Sequence, residues 1–75
     1  MVYRRILRKD EWEDLVLITM YWIDGDLNDY TIRRNLKENL RGGYNAAGDP
    51  LTNNEINVVI EQAIREANRR WGFSY

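Results

Sequence analysis

Apolar residues recur at the three- and four-residue spacing of a helix in three segments of the chain. In the segment nearest the C-terminal end they form one stripe, made by Ile56, Val59, Ile60, Ala63, Ile64, Ala67 and Trp71. Such a stripe is typical of a helix that packs against a core. Thr52 and Glu55 have the spacing of a capping box, and Gly72 supplies a stop. The pattern predicts a helix over residues 53–71.

A shorter helix is predicted over residues 29–41. Its apolar line is narrow and consists of Ile32, Leu36 and Leu40. Asn28 is a suitable N-cap, and Leu27 before it is placed to pack on Ile32 as a hydrophobic staple. Two glycines, Gly42 and Gly43, end the helix.

The first helix, predicted over residues 10–24, is more apolar than one face requires. Asp10 and Glu13 suit an N-cap and its reciprocal acid, and Gly25 supplies the stop. The residues that share an inward arc of about 120° are Trp12, Leu15, Val16, Thr19, Trp22 and Ile23. A buried strand is the competing interpretation, because residues 15–23 are rich in β-branched and aromatic side chains. The acidic start and the helical arc favour a helix.

These segments predict an all-α fold, a three-helix domain that occupies residues 1–75 as a single unit. The short aromatic ends, residues 2–7 and 73–75, are expected to form extended tails, which either pair as a small ribbon or lie over the bundle. A domain of 75 residues buries only about 60% of its unfolded surface. Cysteine and histidine are both absent, which excludes disulfides and zinc sites built on thiolate or imidazole. Association with another chain is the remaining source of extra stability.

Composition and motifs indicate a cytoplasmic protein without a cofactor and without enzymatic activity. The apolar run of residues 15–23 is too short to span a bilayer, so we expect no membrane contact. Acidic residues from Asp24 to Asp29 follow the first positions of a calcium-binding loop. However, Asp29 stands where that loop needs glycine, and Asn35 stands where it needs glutamate.

Charge is strongly segregated along the chain, although its net value is only -1. Residues 10–30 contain seven carboxylates and no basic side chain. One side of the second helix is basic, with an aromatic residue in its midst: Tyr30, Arg33, Arg34, Lys37 and Arg41. Helix one, its short link and this helix resemble a helix-turn-helix in outline, so nucleic-acid binding is the alternative function. Asp24, Asp26 and Asp29, at the end that would approach DNA, argue against it. A third interpretation has these bases facing the carboxylates of helix one within the bundle.

The outer side of the first helix carries a second apolar group. Its expected members are Leu17 and Tyr21 at the centre, Ile18 and Met20 beside them, and Glu13, Asp14 and Asp24 as an acidic rim. Protein interfaces commonly have large side chains at the centre and polar ones around them. The alternative is that the tails cover this patch through Tyr3, Ile6, Leu7, Phe73 or Tyr75. We favour an interface, and expect a small accessory, adaptor or inhibitor protein that binds another protein or forms a homo-oligomer.

Overall fold

The computed structural model describes residues 6–72, and within that range it has three helices: α1 (Lys9–Asp24), α2 (Asp29–Leu40) and α3 (Asn53–Trp71). The predicted all-α fold is confirmed, and each predicted helix boundary lies within one residue of the observed one. Pairing between extended segments, in the range described, is limited to one antiparallel bridge between Tyr44 and Pro50. Most of the expected tails, residues 1–5 and 73–75, lie outside that range.

One apolar core joins the three helices, and Ile6 and Leu7 also belong to it. Its helical members are Trp12, Leu15, Val16 and Ile23 of α1, Ile32, Leu36 and Leu40 of α2, and Ile56, Val59, Ile60, Ala63, Ile64 and Ala67 of α3. The inward arcs predicted for the helices are therefore confirmed with two exceptions, both tryptophans. Trp22 is only half-buried, and Trp71 is 40% exposed.

The expectation that Trp71 lies in the core is wrong. Trp71 is the last residue of α3 and is followed directly by the capping Gly72. A helical arc describes the direction in which a side chain points around the axis, but not how far the neighbouring helices extend along it. At 19 residues α3 is also much longer than the 12-residue α2, which limits the cover that α2 provides.

The inward arc of α1 contains one polar residue, Thr19. Within the described residues, Thr19 is the one polar side chain that is fully buried. Its Oγ1 donates a hydrogen bond of 2.7 Å to the carbonyl oxygen of Leu15, one turn earlier. A buried hydroxyl without a partner would destabilise the fold, so this bond makes the position tolerable. The helix can consequently pack its whole inward side against the core.

The start of α1 differs from the prediction. The N-cap is Arg8 rather than Asp10, and no side-chain hydrogen bond caps the helix. Asp10 and Glu11 lie in the first turn, where their negative charge interacts favourably with the helix dipole. Arg8 donates a hydrogen bond of 2.8 Å from Nε to Oε1 of Glu11. Leu7, directly before the cap, is buried in the core, so tertiary packing helps to set where this helix begins.

The end of α1 is a Schellman motif in which Asp26, not a glycine, has the left-handed conformation. Asp26 has φ of 62°, whereas Gly25 has φ of -81°. The amide of Leu27 donates to the carbonyl oxygen of Trp22 at 3.2 Å, and that of Asp26 donates to Ile23 at 3.1 Å. This pair of bonds defines the motif. Gly25 has a close neighbour instead: a Cβ there would lie 3.2 Å from the carbonyl oxygen of Tyr21, so a larger residue would require a small shift of the backbone.

The caps predicted for the other two helices are confirmed. The Asn28 side chain accepts a hydrogen bond of 2.8 Å from the amide of Thr31 at the start of α2. At the start of α3 the capping box is complete, because Thr52 and Glu55 exchange hydrogen bonds between side chain and backbone of 2.9 and 3.1 Å. Gly72 ends α3 in the left-handed conformation, with φ of 69°.

Candidate protein-binding face and basic groove

The side of α1 opposite the core presents two large apolar side chains to solvent. Leu17 is 42% exposed and Tyr21 is 62% exposed. They are four residues apart, so they are neighbours on the helix surface. Asp14 and Asp24 are exposed on the same helix, and neither has an ion-pair partner within residues 6–72. These four residues, Asp14, Leu17, Tyr21 and Asp24, are called the outer face below.

Ile18 and Met20 flank the outer face and are partly used by the fold. Both are half-buried and pack against the core. Ile18 also lines a shallow depression between α1 and α2, together with Leu7, Glu11, Asp14, Leu15, Asn39 and Leu40. Of the predicted apolar patch, the centre is therefore open to a partner and the flanks are shared with the core.

Glu13, which the sequence placed in the acidic rim, is bound to α3 instead. Arg70 donates two hydrogen bonds to its carboxylate, Nη1 to Oε2 at 2.5 Å and Nη2 to Oε1 at 2.9 Å. The hydrogen bonds from Arg70 lower the pKa of Glu13. This two-pronged pair is the strongest geometry available to a carboxylate. Glu13 consequently joins α1 to α3, and 41% of its side chain is still exposed.

The same arginine belongs to a larger ionic cluster that the sequence analysis missed. Arg70 Nε donates to Glu66 Oε2 at 2.6 Å, and Arg69 donates to both carboxylate oxygens of Glu66. Hydrogen bonds from Arg69 and then Arg70 lower the pKa of Glu66 to about 2. The spacing of three and four residues could have indicated the pairs within α3. The link to Glu13 could not be read in this way, because the two residues are 57 positions apart.

On the predicted basic side of α2, Arg33 also serves the fold. It is bound to Asp29 one turn earlier, with Nε 2.9 Å from Oδ2, and to Glu61 of α3. Hydrogen bonds to Glu61 and Asp29 raise the pKa of Arg33. Arg33 therefore links α2 to α3, as Arg70 links α1 to α3.

The other basic residues on this side are Arg34 and Lys37 of α2 and its C-cap, Arg41. All three are exposed and free of ion pairs within the described range. The guanidinium carbon of Arg34 lies 5.8 Å from the ring centroid of Tyr30, which is 71% exposed. This separation is within the range of a cation–π contact. Tyr30, Arg34, Lys37 and Arg41 form the basic groove, a concavity of about 540 Å³ whose α3 wall contains Asn57, Ile60 and Glu61.

The basic groove and the outer face lie on different sides of the domain. Asn35 and Asn39 line depressions shared with α1, whereas Lys37 and Arg41 line the groove shared with α3. Across residues 6–72, ion pairs between helices join α1 to α3 and α2 to α3, and none joins α1 to α2. The interpretation in which the carboxylates of helix one face the bases of helix two is therefore wrong for this part of the chain.

In the described range, no helix combines the length and the apolar character that crossing a membrane would require. Groups of three or more acidic side chains arranged to hold a metal ion are also absent between residues 6 and 72. Comparison of the chain with protein-family models, with curated proteins and with solved structures found no match.

Proposed function

We propose that this protein is a small non-enzymatic binding module that recognises another protein through the outer face of α1. The observation that carries the proposal is the exposure of Leu17 and Tyr21 on a helix whose opposite side packs against the core. Unlike the polar outer surface expected of a bundle helix, this one presents two large apolar groups side by side. An accessory, adaptor or inhibitor protein would use such a surface.

The chemistry of the outer face indicates what the partner presents. Tyrosine is enriched at the energetic centres of interfaces because its ring buries a large area with little loss of conformational freedom. The unpaired carboxylates of Asp14 and Asp24 favour a partner with Lys or Arg around an apolar depression. Charges at such a rim mainly increase the association rate. Glu13 contributes less to this rim, because its carboxylate already pairs with Arg70.

Nucleic-acid binding through the basic groove is the second candidate, and the exposed Tyr30 with Arg34 beside it is the observation in its favour. Aromatic rings and arginines together bind single-stranded nucleic acid by stacking and phosphate contact. Against it, Arg33 is already paired, and Glu38 and Glu61 line the same groove. Phosphate binding draws its affinity from uncompensated positive charge. We therefore rank it below protein binding.

Site-specific photo-crosslinking tests the protein-binding proposal. A benzoylphenylalanine placed at Tyr21, in cells that make the chain, is expected to form an adduct with one partner protein. Tyr44 is the matched control, because it is a tyrosine of nearly equal exposure, 60% against 62%, on a different part of the surface. A twofold excess of unlabelled chain should compete with the adduct.

The expected result is an adduct from position 21 that position 44 does not form. The same adduct should disappear when Leu17→Lys is introduced, since loss of the apolar centre removes the binding energy. Absence of any adduct from position 21, or equal adducts from both positions, would contradict the proposal.

A further inference from the structure

We infer that the partner of the outer face is a second copy of this chain, whose basic groove receives it. This inference rests on the proposed function and names the partner. In the described structure, the outer face carries acidic side chains without a partner, and the basic groove carries basic ones. Between residues 6 and 72, Asp14 and Asp24 have no ion pair, and neither do Arg34, Lys37 and Arg41.

Charge complementarity is the first argument. The folded chain uses some of its charges internally, in the pairs Arg70 with Glu13 and Arg33 with Glu61. On the outer face of α1 the unpaired charges in the described range are the carboxylates of Asp14 and Asp24. The groove along α2 keeps the unpaired bases Arg34, Lys37 and Arg41, with Glu38 as the one unpaired acid of that helix, and packing holds the two surfaces apart. When the outer face of one molecule contacts the basic groove of a second, the opposite charges compensate each other, and neither molecule has to unfold.

The spacing of the charged groups is compatible with this docking. Asp14 and Asp24 are ten positions apart along α1, or about 15 Å at the rise of an α-helix. Arg34 of α2 and the C-capping Arg41 are seven positions apart, or about 10 Å at the same rise. Arginine and lysine have long flexible side chains, so both carboxylates can be reached by cations at the two ends of the groove.

The apolar parts also match. Leu17 and Tyr21 lie between the two carboxylates along α1 and form the ridge of the outer face. The groove between α2 and α3 offers the aromatic ring of Tyr30 at its edge and Ile60 in its lining. A helix that places its apolar ridge in a groove between two helices is a common recognition mode.

The contact is heterologous, because it joins two different surfaces. Such contacts generate a closed ring or an open chain, depending on the rotation between successive copies. Because the outer face and the groove lie on different sides of the domain, one copy can use both at the same time.

The groove favours a protein occupant over a phosphate backbone. Glu38 and Glu61 contribute carboxylates to the same lining as Lys37 and Arg41. The carboxylates of the groove repel the phosphates of a nucleic acid, which are spaced evenly along its backbone. A helix with only two carboxylates and an apolar ridge can dock without placing those carboxylates next to the acidic residues of the groove. The net charge of -1 gives no general attraction for nucleic acid.

Charge exchange within the chain is the sharpest test. One variant reverses the outer face, Asp14→Lys with Asp24→Lys, and another reverses the groove, Arg34→Glu with Lys37→Glu. The exchanged variant carries all four substitutions and keeps the net charge of -1. Sedimentation equilibrium in low salt would measure self-association of each protein up to about 0.2 mM, a range that detects weak complexes.

Wild type is expected to gain mass with concentration, and high salt should weaken its association. Each reversed variant should associate at least about tenfold more weakly, because like charges then face each other. The exchanged variant should return to within about threefold of wild type, since the attraction is restored with its sign inverted. The control Arg65→Glu with Asp49→Lys moves charge elsewhere and should behave as wild type.

Several results would overturn the inference. If the wild-type protein stays monomeric in low salt, its partner is not a second copy of the chain. An adduct with another protein at position 21 would then still support the proposed function. Loss of association on reversing the outer face but not the groove would mean that two α1 helices pair directly. If reversing the groove abolishes binding of a single-stranded oligonucleotide and leaves self-association unchanged, the groove is a nucleic-acid site.

Folding of each variant is checked by its helical circular dichroism signal and melting temperature. The single substitutions Asp24→Lys and Lys37→Glu repeat the test with a smaller change. Each of these proteins differs from wild type at one exposed side chain. They should weaken association in the same direction, by a smaller factor. Failure of this pair to change the association constant would also contradict the proposed contact.

Discussion

The two sides of α1 have similar side chains and opposite environments. On the inner side, Trp12, Val16 and Thr19 are at most 2% exposed, whereas Leu17 and Tyr21 on the outer side are 42% and 62% exposed. The difference arises because α2 and α3 cover one side only. A helix that is too apolar for a single face can therefore divide its apolar residues between folding and recognition.

The charged residues of α1 follow the same division. Glu13, at the border with α3, is bound to Arg70, whereas Asp14 on the outer face has no ion-pair partner within the described residues. Adjacent carboxylates thus have different roles, one holding two helices together and the other remaining available. The comparison suggests that changes on the inner side and its border should alter stability, and that changes on the outer face should alter association.

The largest expected effect comes from a matched pair of leucines on α1. Leu15 is 7% exposed and Leu17 is 42% exposed, and they are two positions apart. Leu15→Ala should lower the free energy of unfolding by about 2–5 kcal/mol, because it leaves a cavity in the core. That is a large part of the roughly 4–11 kcal/mol expected for a domain of this length. Leu17→Ala should cost less than about 1 kcal/mol.

Urea unfolding followed by circular dichroism would measure both variants. Equal losses of stability would mean that the two sides of α1 contribute alike to the core, and would remove the basis of the comparison.

A smaller effect is expected at the border between α1 and α3. Because the pKa of Glu66 in the folded protein, about 2, is below its ordinary value of 4.5, the ionised group stabilises the fold above about pH 4.5. This contribution is lost as the pH falls from about 4.5 towards 2. Glu66→Gln should therefore destabilise the protein at neutral pH by about 1 kcal/mol, as solvent-screened pairs do, and flatten the acid side of its stability profile.

Melting temperatures measured between neutral and acidic pH would show this change. Glu38→Gln is the control, since Glu38 is exposed and forms no ion pair within the described range. An identical pH profile for Glu66→Gln and wild type would show that the cluster does not stabilise the border of α1.

At the C-terminal end of α1, a change of backbone preference should raise stability. Asp26 is in the left-handed conformation, which glycine adopts without the steric cost that other residues bear. Asp26→Gly should stabilise the protein by about 0.5–1 kcal/mol. Asp26→Ala removes the same charge but keeps a Cβ, so it should destabilise by a similar amount.

Thermal unfolding of these two variants separates conformation from charge. If both shift the melting temperature in the same direction, the charge of Asp26 matters more than its conformation, and the Schellman motif is not what limits the end of α1.

The smallest change in stability is expected on the outer face itself. Leu17→Lys with Tyr21→Lys should leave the helical signal intact and change the free energy of unfolding by no more than about 0.5 kcal/mol, because lysine stems can cover the same surface. Association should be lost. Should this double variant unfold, Leu17 and Tyr21 belong to the core, and the distinction between the two sides of α1 fails.

Most of the secondary structure could be predicted because its causes are local. The caps at Asn28 and Thr52 depend on hydrogen bonds to residues three positions away, which are visible in the sequence. The stripe of α3 depends on helical spacing alone. The outward direction of Leu17 and Tyr21 followed from the same spacing, and their exposure agrees with it.

Two incorrect predictions concern the residues that cap the two ends of α1. These caps depend on more than the local spacing of residue types. Asp10 has the chemistry of an N-cap, but α1 begins after Arg8, where buried Ile6 and Leu7 hold the preceding chain. Gly25 has the preference for a left-handed residue, but Asp26 adopts that conformation. At each end of α1, two residues could occupy the capping position. The path of the chain beyond the helix determined which of the two takes that role.

The sequence by itself determined three helices, their apolar sides and the segregation of charge along the chain. The tertiary structure decided which charges are used internally. Glu13 and Arg70 are 57 positions apart, and Arg33 and Glu61 are 28 positions apart. Helix formation depends on residues within about one turn of each other, whereas an ion pair between helices depends on which faces meet. Only the packed fold therefore separates the paired carboxylates and arginines from those left for a partner.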